Sequence, residues 1–333
     1  MAKPTAQQLI EGLAAGQIAP LARAITLVES HLPTDQAIAD EVLAWCRERL
    51  VTQVPSFRLG VTGPPGVGKS TAIDQLGLAF IERGHRVAVL AVDPSSRRTG
   101  GSILGDKTRM NRLSQHPKAF IRPSAAGNTL GGLHRATRQA IELCEAVGFD
   151  RIIVETVGVG QSEMTVHELT DCFLLLALPG SGDDVQGIKR GIMEMADIVA
   201  VTKADGDNLA RAQRARLDLQ QALHYYPPHP SGWVPQVCLV SALERDGLAP
   251  LLKALDDRLR FLSEHDRLAQ HRREQRLRRF ETLVAEKLLA ACTHHLATEL
   301  QAARQAILDQ DSLPESQAEA VVAALFGEPN NKK

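Results

Sequence analysis

The chain has few aromatic side chains: Phe, Trp and Tyr make up 4% of its 333 residues. Surfaces that stack single-stranded nucleic acid need such rings, so their scarcity argues against that class of partner. A charge imbalance is missing too. With 38 Lys and Arg against 39 Asp and Glu the formal net charge is −1, and no global field draws the protein to nucleic acid or anionic lipid. No apolar run approaches the ~20 residues that span a bilayer. Residues 1–15 hold a single lysine and lack the continuous apolar stretch of a secretory signal. The five cysteines (Cys46, Cys144, Cys172, Cys238 and Cys292) are odd in number and never spaced C-x-x-C, a pattern of reduced thiols and not of disulfides or a zinc site. These absences lead us to expect a soluble, cytoplasmic protein, and the 44% apolar content suffices for a proper core.

What is present is organised around Gly63-Pro64-Pro65-Gly66-Val67-Gly68-Lys69-Ser70-Thr71. These residues fit the phosphate-loop pattern G-x-x-x-x-G-K-[ST]. The run 57–62 before them reads as a short buried strand. Ile73, Leu76, Phe80 and Ile81 after them recur at helical spacing. Glycines let backbone amides turn inward around a β-phosphate, and the helix N-terminus adds its positive dipole end. Lys69 is expected to neutralise β/γ oxygens and the Ser70 hydroxyl to ligand Mg²⁺.

Along residues 1–54 the apolar positions Leu9, Leu13, Leu21, Ile25, Leu27, Val28, Ile38, Val42, Leu43 and Cys46 suggest short helices broken at Pro20 and Pro33. We expect a helical N-terminal extension packed on the main domain. From 55 to 262, strand-like runs at 58–62, 87–92, 119–122, 151–155, 172–178, 197–202 and 236–240 alternate with helical segments. This predicts an α/β domain: a mainly parallel sheet covered by helices on both faces, with ligands bound beyond the carboxyl ends of the strands. Residues 263–326 read as long helices. Phe280, Leu283, Val284, Leu288, Cys292, Leu296 and Leu300 form a stripe that needs a cover, such as a second subunit. The arginines Arg272, Arg273, Arg276, Arg278 and Arg279 read as a solvated face balanced by Glu264, Glu274 and Glu281. Residues 327–333 look like a disordered tail.

The remaining motifs fall at strand ends. Asp93 opens a polar loop that also carries Asp106, a segment suited to hold Mg²⁺ or its waters; the alternative is a long surface loop. Glu155 ends a strand and is followed three residues later by Gly158. A carboxylate and a glycine so spaced form a metal- and γ-phosphate-sensing switch, in which most GTPases use Asp. We therefore name Lys69, Glu155 and Asp93 as the catalytic set, and Ser70, Asp93, Asp106 and Glu155 as the metal set. A water-orienting glutamine would follow that glycine directly; here Val159 does, with Gln161 two residues further on. We expect slow, partner-dependent hydrolysis. The loop with Asp183, Asp184, Gln186 and Lys189 is a second candidate switch, or a solvated connector. Thr202-Lys203-Ala204-Asp205 fits the guanine pattern [N/T]-K-x-D: a carboxylate accepts from guanine N1–H and N2–H₂ but faces a lone pair in adenine. Ser241, Ala242 and Leu243 fit the loop whose backbone amide meets guanine O6.

Together these residues closely resemble the MeaB/ArgK family of P-loop GTPases, from about Leu21 through the C-terminal helices. The most specific stretches are VDPSSRRTGGSILGDKTRM (92–110) and VETVGVGQSE (154–163). The resemblance implies GTP and Mg²⁺ at these sites and C-terminal helices that carry homodimerisation. It also implies a partner, an adenosylcobalamin-dependent acyl-CoA mutase (usually methylmalonyl-CoA mutase), whose cofactor loading is gated or protected. No tight cobalamin binding by this chain alone is expected. Alternatives are a nickel-insertion GTPase, for which His224, His229, His294 and His295 are the only candidate ligands; a kinase linked to amino-acid transport, for which no acceptor motif is found; and a protein-targeting GTPase, which lacks a Met-rich domain here.

Overall fold

A computed structural model describes residues 3–92, 110–124, 130–156, 162–179, 190–227, 229, 231–242, 247–309 and 312–325. Contacts divide the chain into two compact units, Met1–Ala269 and Gln270–Lys333.

The first unit is built on seven parallel strands, β1 (Phe57–Thr62), β2 (Val87–Val92), β3 (Ala119–Ser124), β4 (Arg151–Thr156), β5 (Cys172–Ala177), β6 (Ile198–Val201) and β7 (Gln236–Leu239). They lie in the order β3-β2-β4-β1-β5-β6-β7. Chain order reverses beside β1, so a crevice opens at its carboxyl end. Alternate residues of each strand enter two separate apolar layers. Val87, Val89, Ile153, Leu174 and Ile198 face one side; Ala88, Leu90, Val154, Leu175 and Val199 face the other. Burial on both faces explains why these strands read as unbroken apolar runs.

Helices α4 (Lys69–Glu82) and α9 (Ala249–Ser263) supply Ile73, Leu76, Phe80, Leu251 and Leu255 to the first layer. The second layer is closed by the N-terminal helices α1 (Ala6–Ala14), α2 (Ile18–Glu29) and α3 (Pro33–Leu50), together with α5 (Leu130–Ala146), α6 (Ser162–Leu169), α7 (Arg190–Met195) and α8 (Leu209–Leu223). Thr5 and Gln8 form a reciprocal capping box at the start of α1. The sequence placed a break at Pro20, but the structure puts it in the first turn of α2, where a missing N–H leaves no bond unmade. Pro33 opens α3, again a position that suits it.

Where β5 and β6 begin, the sheet is held by a buried ionic group. Arg258 on α9 is 1% exposed; its Nη2 lies 2.9 Å from Asp197 Oδ1 and 3.3 Å from the Asp171 carbonyl. Both carboxylates also accept backbone amides, Asp197 from Phe173 and Asp171 from Arg58. Trp233 and Phe261 cover the guanidinium, their ring centroids 5.1 and 5.6 Å away. A charge buried this deeply is tolerated only while paired.

The second unit contains most of α10 (Arg267–His295), then α11 (Ala297–Leu308) and α12 (Pro314–Leu325). The apolar stripe is interrupted between α10 and α11 at Leu296, which has left helical geometry and is buried. The break lets Leu296 turn inward, whereas Leu277, Phe280, Leu288 and Leu289 remain exposed.

Replacing Arg258 with Ala should lower unfolding free energy by about 3–5 kcal/mol, because Asp197 keeps its charge without its cation. Arg258→Met combined with Asp197→Asn should recover most of that loss. Urea titration of the three proteins checks this; an Ala variant within 1 kcal/mol of the parent (about 0.5 kcal/mol is a typical surface effect) would refute the role given to this ion pair.

Candidate nucleotide site

The loop between β1 and α4 follows from its glycines. Gly66 and Gly68 adopt φ of +76° and +97°, the left-handed region that glycine enters without penalty. Gly63 is required for a different reason: a Cβ there would come within 2.6 Å of the Leu176 carbonyl oxygen on β5. Pro64 and Pro65 carry the chain outward between these turns, and Val67 is fully buried. Gly68 caps α4, so Lys69, Ser70 and Thr71 form its first turn and their amides have no partner within the helix.

The Lys69 ammonium donates to the carbonyls of Gly63 at 2.7 Å and Pro64 at 3.3 Å, closing the loop over itself. Burial pushes this ammonium below its ordinary range, and the negative charges of Glu155 and Glu163 partly hold it up. Glu155, at the end of β4, is 4% exposed. Beside it the hydroxyl of Thr156 donates to that of Thr62 at 2.9 Å, joining the ends of β4 and β1.

The second half of the site comes from the ends of β6 and β7. The Thr202 hydroxyl donates to the Val67 carbonyl at 2.8 Å and lies 3.2 Å from that of Ala177. Thr202 thus fastens the phosphate loop to the adjoining strand. Lys203 takes φ +55°, a conformation that costs a non-glycine residue about 1–2 kcal/mol, and its side chain is exposed. The Ala204 amide donates to Val240, and the Ser241 hydroxyl donates to Asp205 Oδ2 at 2.6 Å. That bond fixes the plane of the Asp205 carboxylate.

A cavity of about 360 Å³ joins the two halves, lined by Val67, Gly68, Thr71 and Ala72 on one side and by Thr202, Lys203, Asp205, Asn208, Val240 and Ala242 on the other. The structure therefore brings the 63–71 loop, Thr202–Asp205, Ser241 and Ala242 to one edge of the sheet, with Glu155 beside Lys69. Leu243, Asp93, Asp106, Gly158, Gln161, Asp183, Asp184, Gln186 and Lys189 lie outside the described residues. Two residues escaped the sequence reading. Asn208 lines the cavity three positions after Asp205, in a short 3-10 turn that the tetrad pattern does not include. Glu163 is 1% exposed in the first turn of α6 and acts on Lys69; its only sequence signal was its place within the 154–163 stretch. Among the described residues no three His, Cys, Asp or Glu side chains gather as a metal site, and no helix is long and apolar enough to cross a membrane.

Residues 21–297 match the family described as methylmalonyl Co-A mutase-associated GTPase MeaB. A Mycobacterium tuberculosis relative is 50% identical over 272 residues, 80% of each chain. GTPase ArgK of Escherichia coli is 45% identical, covering 86% of this chain and 85% of its own. The mouse methylmalonic aciduria type A homolog, a mitochondrial protein, is 44% identical over 85% of this chain and 70% of its own. A crystal structure titled LAO/AO transport system kinase superposes with a TM-score of 0.78 at 34% identity, covering 98% and 99% of the two chains.

Lys69→Ala removes the cation seated on the Gly63 and Pro64 carbonyls and should weaken GTP binding about tenfold or more, as loss of a charged hydrogen bond does, with the thermal midpoint little changed. Equilibrium binding of a fluorescent GTP analogue reads this directly; unaltered affinity would sink the phosphate-loop assignment. Asp205→Asn would set an amide donor against the guanine N–H donors. The ratio of GTP to ATP affinity should then fall by about 10- to 100-fold, as competition binding would show; an unchanged ratio would remove Asp205 from base recognition.

Proposed function

The chain belongs to the MeaB family of methylmalonyl-CoA mutase-associated GTPases, and on that premise we propose that its GTP hydrolysis times the cofactor state of an acyl-CoA mutase. The protein is a GTPase; the client and the use made of hydrolysis are our reading. The observation that carries the nucleotide half is the single cavity in which the phosphate loop meets a carboxylate held by Ser241. Its volume suits a small ligand, and the orientation of Asp205 suits guanine.

In this reading the amides of residues 66–70 and the Lys69 ammonium bind the β- and γ-phosphates. Lys69 leaves the Gly63 and Pro64 carbonyls when the phosphates arrive, so an occupied site exchanges one set of oxygens for another. Water attacks the γ-phosphorus, the bond to the bridging β,γ-oxygen breaks, and GDP and phosphate result. Ser70 and Glu155, with Asp93 and Asp106, would hold Mg²⁺. A buried carboxylate and a helix-terminal hydroxyl are the hard oxygen donors such an ion prefers. Its chemistry is to neutralise charge on the phosphate oxygens.

Gly158 and Gln161, with the loop bearing Asp183, Asp184, Gln186 and Lys189, would sense the γ-phosphate and pass its loss to the partner. The displaced glutamine supports slow turnover in isolation. The exposed apolar side chains Leu277, Phe280, Leu288 and Leu289 support a homodimer formed through the C-terminal helices. Association with methylmalonyl-CoA mutase is supported by family membership, and gating or protection of adenosylcobalamin loading is the role that fits a slow timer.

Purified protein should hydrolyse GTP slowly, leave ATP intact, and accelerate when the acyl-CoA mutase of the same organism is added. Phosphate release measured with and without mutase tests the reading. GTP turnover that ignores the mutase at saturating concentration would overturn the client assignment while leaving the GTPase intact.

A further inference from the structure

One residue of the nucleotide cavity belongs to neither the phosphate loop nor the guanine tetrad. Asn208 lines the cavity and closes the 3-10 turn Gly206–Asn208 that follows Asp205. Its backbone N–H donates to the Asp205 carbonyl at 3.0 Å. Asn208 also precedes Leu209, the first residue of α8, and so stands where an asparagine ordinarily caps a helix. Its side chain makes no capping bond. The usual structural reason for asparagine at this position is therefore missing.

What holds the side chain instead is Arg211, whose Nη2 donates to Asn208 Oδ1 at 2.7 Å. A guanidinium only donates, so the atom it meets is the amide oxygen and the amide NH₂ is turned away from Arg211. That NH₂ makes no hydrogen bond among the described residues. In a 3-10 turn, side chains at i and i+3 eclipse, which sets Asn208 beside Asp205, while Asp207 between them is exposed. The guanine end of the cavity therefore carries a carboxylate and, next to it, an amide donor of fixed orientation.

The chemistry of guanosine limits what this donor can meet. Asp205 suits the N1–H and N2–H₂ groups, and its Oδ2 is held by Ser241, whose own backbone segment suits O6. The acceptors that remain beside N2 are N3 of the base and the 2′-hydroxyl oxygen of the ribose, which together make the sugar edge of the nucleoside. We propose that Asn208 donates a hydrogen bond to this sugar edge, and that Arg211 is the positioning residue that turns its NH₂ toward the ligand. The inference rests on the reading of the cavity as the GTP site and deepens it. Adenosine carries the same N3 and the same 2′-hydroxyl, so Asn208 adds affinity for the nucleoside without choosing its base. That choice stays with Asp205.

Competition binding of GTP, 2′-deoxy-GTP, 3-deaza-GTP and ATP to the full chain tests this, with Asn208→Ala, Asn208→Asp and Arg211→Ala compared beside Lys69→Ala. Loss of one neutral hydrogen bond costs about three- to tenfold in affinity. Asn208→Ala should weaken GTP by that factor and leave the ratio of GTP to ATP affinity unchanged. Aspartate keeps an oxygen for Arg211 but has no donor, so Asn208→Asp should be impaired at least as much. Arg211→Ala lets the amide turn over and should weaken GTP by a smaller factor. One analogue should bind the parent weakly and lose nothing more in Asn208→Ala: 2′-deoxy-GTP if the bond goes to the ribose, 3-deaza-GTP if it goes to the base. If both analogues lose as much as GTP does, the NH₂ does not reach the sugar edge and the proposal is overturned. An Asn208→Asp variant that binds GTP like the parent overturns it as well, because Asn208 would then act only through Arg211 and the turn. Unchanged GTP affinity in Asn208→Ala, with Lys69→Ala weakened, refutes the Asn208 contact and keeps the cavity as the GTP site. If Lys69→Ala also binds normally, the reading of the cavity fails and the Asn208 contact falls with it.

Discussion

The phosphate loop has almost no freedom of its own, because it is pressed against β5. Gly63 passes so close to the Leu176 carbonyl that no side chain fits between them, and Thr202 holds the loop at Val67 from the next strand. At the head of the Thr202–Asp205 segment the threonine hydroxyl reaches the Val67 carbonyl 2.8 Å away. The two halves of the site are thus joined by a short polar link and not through a long path of packing. A buried hydrogen bond of this kind contributes about 1 kcal/mol net, but leaving its acceptor unpaired costs more. The link is therefore a matter of geometry more than of stability.

The polar features at the two ends of the sheet serve different ends. At the carboxyl ends of the strands they remain available to a ligand: amides of the first turn of α4, the Asp205 carboxylate, and an ammonium resting on carbonyls it can leave. Where the strands begin, Arg258, Asp197 and Asp171 are closed off by Trp233 and Phe261. The same chemistry, charge in a poorly solvated place, makes a staple at one edge and a binding site at the other. What differs is whether the partners are internal.

The strands and their parallel arrangement were legible because burial on both faces leaves an unmistakable run of β-branched and small apolar residues. The phosphate loop was legible because two left-handed turns and one close approach all demand glycine. Less visible were features defined by contacts between distant segments. Nothing in the sequence marks Arg258 as a core residue and not another surface arginine among many. Glu163 was hidden by the ordinary look of an acidic residue in a first helical turn. Pro20 was misread because a proline in the first turn and a proline between helices look the same along the chain. The apolar stripe of the C-terminal helices was read by period, and a period cannot reveal that the chain bends at Leu296.

The strand order has a consequence in time. Thr62 bonds to Thr156 across 94 residues, and Arg58 to Asp171 across 113, so β1 sits between two neighbours that are both made much later. Synthesis proceeds at about 5–20 residues per second, which leaves the finished phosphate loop waiting roughly ten seconds for the strands that flank it. Contacts this far apart also slow folding of the completed chain. Until they form, the loop has its own internal contacts, such as Lys69 on the Gly63 carbonyl, but not those that reach it from β5 and from Thr202.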